Sequence, residues 1–384
     1  MLVKKRLGRR SFLGSIIASM AAGTAGLAHG QASQHSSGPS LPRWKNKPPG
    51  STWGEFGADD QLGRINLLTP AKVRQGAAEI RAGRSFCLSL PLDYPGENVA
   101  NPDRLPPRLF AVVGKDGQPI FNRVYRDAAG QPTGVVSDDA ALLYTQYSTQ
   151  WDGFPHFGAV YDADGTGEKV TYYNGWNASS MVPPANRSGT EPWARYEGSH
   201  ADALGIETMA ATGVQGRGVL VDLHAHFGRT PHPVTCADLL GIMEKDRVQV
   251  ERGDILCLYT GFDRVLLEMG KHPDRDRMFN SCAALDGTDP QLLQWLTDSG
   301  VAALASDNRA IEMLPIKPPR KSQVFAPLHE HCLFKIGVHL GEMWYLAELA
   351  DWLRGHHRNR FFLTAPPLRL TGAVGSPVTP VATV

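Results

Sequence analysis

The chain has 384 residues, 42% hydrophobic and 20% charged, with a formal net charge of +1. This is the composition of an ordinary soluble globular protein, and its near-neutrality gives nothing that points to nucleic acid or an acidic membrane surface as the main partner, so neither is expected. The five cysteines, Cys87, Cys236, Cys257, Cys282 and Cys332, are far apart and form no C-x-x-C pair, which excludes a zinc ribbon or a thioredoxin-like motif.

Residues 1–32 read as an address. Lys4, Lys5, Arg6, Arg9 and Arg10 precede a weakly apolar run from Phe12 to about Ala28, with small residues at Ala28 and Ala32. This is the layout of a cleaved signal peptide. The Arg9-Arg10 pair followed by Ser11-Phe12-Leu13 makes it twin-arginine in type, so a periplasmic or secreted protein is expected, with no stable membrane insertion after cleavage. Residues 33–50 are rich in Ser, Pro and Gly and read as a linker, so the folded body is expected from Ser51.

In the body, Thr69-Pro70 opens a helix that Gly83 can stop, and Phe86 to Leu92 alternates like a strand. Gly218–Leu223 and Ile255–Tyr259 read as buried strands, with a helix over Thr235–Lys245 between them. A helix over Asp289–Thr297, a strand over Val301–Leu304, a helix over Gly341–Leu353 and a strand over Phe361–Thr364 follow. The irregular alternation, with 40 Gly and 28 Pro, predicts an α/β class with a mixed sheet in a single domain spanning residues 51–384.

The segment from Thr145 to Gly165 is the richest in chemistry. Gln146, Gln150, Asp152 and His156 fall within eleven residues. In an extended segment, residues two apart share a face, so Gln146, Gln150 and Asp152 would point the same way. A carboxylate beside neutral oxygen donors can hold a divalent cation. His156 could then reach the substrate as a proton-transfer group, since imidazole titrates near neutrality. The plain alternative is surface decoration. Trp151 is open between core packing and the floor of an aromatic substrate pocket. His224 and His226 are expected in loop or core packing, and His356-His357 at a solvated helix end.

The segment resembles the signature of the cyclase family, which includes kynurenine formamidase and isatin hydrolase, commonly written H-x-G-T-H-x-D-x-P-x-H. Thr149, Asp152 and His156 match it, while Gln146 and Gln150 stand at the two early histidines, Ser148 at the glycine and Phe154 at the proline. Thr149-Gln150-Trp151-Asp152 is similar to a long-chain branch with a T-Q-W-D form of the motif. Trp53-Gly54 through Thr69-Pro70, Tyr173-Asn174-Gly175, Gly216 to Asp222, Gly253 to Leu256, Pro327-Leu328-His329, Leu340-Gly341-Glu342 and Gly372 to Val381 resemble further stretches of that branch in order. The resemblance implies a swivelling β/β/α fold and a homo-oligomer. It also implies a divalent metal, zinc or manganese, that serves hydrolysis of an amide, lactam, ester or lactone of a small molecule. Asp152, His329 and Glu342 would be ligands and His156 the proton-transfer residue, with His331 competing with His329. Carboxamides at Gln146 and Gln150 are poorer zinc ligands than imidazoles, so a single harder metal or a metal-free site stays open. A lyase or cyclase using His156 as base, and a non-catalytic small-molecule binder, are the rival functions.

Overall fold

The computed structural model describes residues 41–183, 198–316 and 324–384. The signal segment, residues 1–32, lies outside them. Nine short segments pair into one mixed sheet: β1 (Ser85–Cys87), β2 (Gln150–Asp152), β3 (Gln215–Asp222), β4 (Ile255–Tyr259), β5 (Ala303–Ser306), β6 (His339–Glu342), β7 (Arg360–Thr364), β8 (Gly375–Pro377) and β9 (Val381–Thr383). Their order across the sheet is β1-β9-β7-β3-β4-β5-β6-β2-β8. The central four, β3 to β6, run parallel. The flanking strands pair antiparallel, with β7 on β3 at one side and β2 on β6 at the other. Both faces are covered, as a parallel centre requires. Val219, Val221, Leu256, Leu258 and Leu304 belong to one apolar cluster, and Leu220, Ile255, Cys257, Ala303 and Ala305 to the other.

The helices follow local rules. In α1 (Pro70–Ala77) the Thr69 side chain accepts from Lys72 N. In α2 (Cys236–Lys245) Thr235 and Asp238 form a reciprocal capping box. The next helix, α3 (Phe262–Glu268), follows β4 directly. In α4 (Pro290–Ser299) Asp289 caps the start, and Gly300 ends the helix with a φ of 65°. Four buried apolar side chains of α2 and α4 (Leu239, Ile242, Leu292 and Leu296) join the first cluster. α5 (Ala347–Gly355) packs Leu349, Ala350 and Leu353 into the second.

Several expectations change. The helix opened at Thr69 ends at Ala77, short of the stop expected at Gly83. The helix expected from Gly341 begins only at Ala347, because Gly341 and Glu342 are drawn into β6, where they pair with Trp151 and Gln150. The strand expected over Phe86–Leu92 stops at Cys87, with a single further bridge from Ser89 to Trp344. The ordered body also reaches further back than Ser51. Trp44 is buried against Trp53 at 5.8 Å, and Lys45 N donates to Ala163 O. Residues 40–384 form one compact unit.

Among the described residues no helix is long and apolar enough to cross a membrane. Two exposed two-stranded ribbons, Arg108–Ala111 with Asp139–Leu142 and Arg123–Arg126 with Pro132–Val136, stand outside the main sheet.

Candidate metal centre and adjoining cavity

Strand alternation builds the floor of the site. β2 pairs with β6 so that Gln150 faces Glu342 and Asp152 faces Leu340. Directly paired residues share a face, so Gln150, Asp152 and Glu342 project together. The strand before them is pinned by Thr149, whose hydroxyl donates to Met343 O and accepts from Leu90 N. Gln150 Nε2 donates to Asp152 Oδ1 at 3.0 Å and to Glu342 Oε2 at 3.2 Å. All three residues are buried.

His329 arrives from a different element, the short helix Pro327–His329. Its Nε2 lies 3.2 Å from Glu342 Oε1, and its Nδ1 lies 2.7 Å from Glu312 Oε1. Glu312 also accepts from the backbone N–H groups of Leu328 and His329, so it holds both the ring and the turn that carries it. Burial alone would push the His329 imidazole down, but its bonds to Glu312 and Glu342 carry it up to about 10. Burial and the neighbouring Asp152 push the Glu342 carboxyl up. Asp152, His329 and Glu342 offer ligand atoms within 4.8 Å of one another.

His156 closes the turn Phe154–His156, one step beyond β2, and its Nε2 lies 3.9 Å from Asp152 Oδ1. It is only partly buried. Burial, together with Arg104 and His329, pushes its imidazole below the usual histidine range against the pull of Asp152. A cavity of about 330 Å³ opens over this floor, lined by His156, His329, Glu342, Gln146, Arg104 and Arg309 among others. That is at the small end for small-molecule sites.

Of the residues expected from sequence, Asp152, Gln150, His329, Glu342 and His156 come together. Gln146 precedes β2 and lies at the cavity, with its amide nitrogen buried, unpaired and packed against Gly375, where a Cβ would stand 2.3 Å from it. Trp151 does not join them. It projects from the opposite face of β2, fully buried, 4.9 Å from Trp344, and its indole N–H donates to Ala365 O. It is core, not pocket floor, for the same reason that Gln150 and Asp152 share a face: side chains alternate along a strand. His331 is also excluded from the floor. Its Nε2 meets Thr297 Oγ1 at 2.9 Å, and burial, then Lys335, push the ring down to about 4. His226 pairs with Asp246, His224 bonds Gly228 O, and His356 stacks on Trp352, all apart from the site.

Sequence reading missed Glu312, Arg104, Arg309 and His339. Glu312 sits 17 residues before its partner in an irregular loop, where no spacing rule applies. His339 Nδ1 meets Asp152 O, its ring stacks on Phe154 at 4.0 Å, and burial pushes it down to about 4.

The donor set suits a divalent cation: one imidazole and two carboxylates, the mixture that borderline metals accept. Two orphaned atoms support the fit. Asp152 Oδ2 and Gln150 Oε1 are buried and have no hydrogen-bond partner. Turning the Gln150 amide end for end would aim its oxygen where its nitrogen now meets both carboxylates.

A mixed parallel-centred sheet bearing such a His/carboxylate group on β2 and β6, near one edge, defines a class of α/β proteins. The family described as "Putative cyclase" matches residues 86–313, more than half of the chain, and the chain belongs to it. A crystal structure described as that of a novel cyclase superposes with a TM-score of 0.67 at 29% identity, covering 88% of this chain and all of the other. Isatin hydrolase A from Labrenzia aggregata, bound to benzyl benzoate, has a TM-score of 0.49 at 12% identity, covering 81% and 98%. A structure described as a predicted metal-dependent hydrolase from Bacillus stearothermophilus has a TM-score of 0.41 at 15% identity, covering 78% and 97%. The comparison with curated proteins gave no match.

Proposed function

We propose that this protein is a metal-assisted hydrolase of acyl C–N or C–O bonds (amide, lactam, ester or lactone) in a small molecule. The observation that carries the reading is the convergence of Asp152, His329 and Glu342 beneath a cavity that also exposes His156. Asp152, His329 and Glu342 would hold the cation, zinc or manganese, with Gln150 as a neutral neighbour. When bound, such a cation supplies Lewis-acid polarisation of the acyl carbonyl and eases deprotonation of water. Glu312 keeps His329 in one orientation through its ring nitrogen. His156 holds or delivers the proton that the leaving nitrogen or oxygen requires. Its lowered pKa keeps it neutral near pH 7, ready to accept a proton first and donate it later.

The test is direct. The protein is stripped with chelator, reloaded with zinc or manganese, and offered lactones, lactams, aryl esters and N-formyl amines. Metal-dependent ring opening or ester cleavage is expected. Full metal occupancy with no turnover across the panel would sink the reading, and elimination or cyclisation products would replace it with the lyase alternative. One observation favours a second reading, a metal-free binding protein. The Gln150 amide already donates to both carboxylates, a role a cation would otherwise fill. Calorimetric titration showing no zinc or manganese binding would select that reading.

Export remains part of the proposal: residues 1–32 direct the chain to the periplasm or beyond and are removed. An intact Met1 in the exported fraction, seen by mass spectrometry, would contradict it. A homo-oligomer is proposed as well, to be read from light scattering.

A further inference from the structure

The cavity presents a feature that the metal-centre residues do not explain. Two arginines from separate loops line it, Arg104 before the exposed ribbons and Arg309 just after β5. Arg104 Nη1 donates to Gln146 O at 2.7 Å. The Arg309 guanidinium lies 4.1 Å over the Phe279 ring and spends one corner on the Leu314 carbonyl. Among the described residues, neither has a carboxylate within ion-pair distance. The nearby acids take their hydrogen bonds from other side chains, Glu342 from Gln150 and His329 and Asp152 Oδ1 from Gln150.

Such a pair is costly without a purpose. Arg309 is deeply set, and burial pushes its guanidinium down to about 10, yet it stays charged at neutral pH. Glu342 acts on Arg309 only from beyond ion-pair distance, and a largely buried charge without a direct ion-pair partner is incompletely compensated until an anion meets it. The guanidinium fork matches the geometry of a carboxylate. Besides these arginines and the polar floor, the lining has an apolar part, with Phe157 and Phe325 5.2 Å apart and Ala310, Ala326 and Met343 among the other residues.

Resting on the hydrolase reading above, we propose that Arg104 and Arg309 form an anion-recognition pair, and that the substrate class is a small apolar or aromatic acyl compound carrying a carboxylate of its own. The scissile carbonyl faces Asp152, His329 and Glu342, and the pendant carboxylate meets the two guanidiniums. Arg309 sets specificity by its fixed position over Phe279. Arg104 completes the pair and, through Gln146 O, ties it to the strand that carries Asp152.

The probe is phenylacetate against phenylacetamide, its neutral counterpart, titrated calorimetrically into the metal-loaded protein. Hydrogen bonds to charged groups imply a preference for the anion of about 10- to 100-fold. Arg104→Met and Arg309→Met should each reduce that preference by about 10-fold, while Arg309→Lys keeps part of it by retaining charge without the fork. Unchanged metal content and circular dichroism in the variants exclude misfolding. Equal binding of the two probes, no binding of the anion, or an anion preference untouched in both methionine variants would overturn the proposal. In the last case the carboxylate sits on the metal alone. None of these readouts needs turnover, so failure of the hydrolase reading is seen separately, in the substrate panel.

Discussion

The protein buries two acidic pairs close to its sheet, and they are satisfied in opposite ways. Asp263, in the first turn of α3, and Asp307, just after β5, are fully buried and accept mainly from backbone N–H groups. Asp307 accepts from Thr260 N and Phe262 N and also from the Thr260 hydroxyl, while Asp263 accepts from Arg264 N, Leu346 N and Ala347 N. They clamp the starts of α3 and α5. Asp152 and Glu342 are equally buried, but their partners are side chains, Gln150 and His329, and Asp152 Oδ2 is left with none. A carboxylate consumed by rigid backbone donors can do little except hold the chain. One held by movable side chains, with a lone pair unspent, is available to a ligand. Burial and a raised pKa do not by themselves mark the available carboxylate, since Asp263 and Glu342 share both. The identity of the donors does.

The largest effect expected is at the edge of the available pair. His156→Ala should lower turnover by about 10²–10⁴-fold, the usual worth of positioned acid–base help, with metal content unchanged by mass spectrometry. Loss of metal instead would make His156 a ligand. Next comes the clamp. Asp307→Ala strands several buried N–H groups, each costing about 1–3 kcal/mol, so urea denaturation should show a loss of about 2–4 kcal/mol while metal affinity holds. If this variant loses metal as readily as Asp152→Asn, the division between the two pairs fails.

A smaller effect is expected at Glu312. Glu312→Gln should weaken metal binding by about 10- to 100-fold, as for other carboxylates that orient a ligand histidine, with little change in unfolding. The smallest concerns pH. Burial, then repulsion from Asp307, raises the Asp263 pKa above that of an unfolded aspartate. The native state therefore keeps a proton that the unfolded chain releases near pH 4. The stability tied to that proton is complete at low pH and is lost as pH rises toward the folded pKa. Asp263→Asn should flatten this fall by up to about one proton's worth of slope, measured as unfolding free energy from pH 4 to 8. An unchanged slope would show that Asp263 ionises normally in the clamp.

Where the chemistry is local, the chain could be read from its letters. The helix starts at Thr69, Thr235 and Asp289 obey short-range hydrogen-bond rules and appear where expected, although the first helix ends at Ala77, short of Gly83. Gln150 and Asp152 share a face because strand alternation is a property of the backbone, and the same rule, applied one residue over, would have sent Trp151 to the core. The order of motifs along the chain also pointed to the family that the comparison then showed.

What lay beyond sequence was everything set by distant contacts. His329 and His331 are two residues apart and identical in type, yet one meets Glu342 and the other Thr297, because the turn they share rotates them toward different neighbours. Gly341 and Glu342 carry a helix-like pattern but are captured by pairing with β2, a partner nearly 200 residues away in sequence. Glu312, Arg104 and Arg309 sit on irregular loops with no periodicity to announce them, so only the packing of those loops brings the two arginines to one cavity and Glu312 to the far side of the His329 ring. The sequence by itself determined the capped helices, the alternation of β2 and the residue types available for chemistry, since these depend on neighbours a few bonds away. The tertiary structure alone decided which of those residues meet, because convergence depends on which strands pair and how the loops between them close.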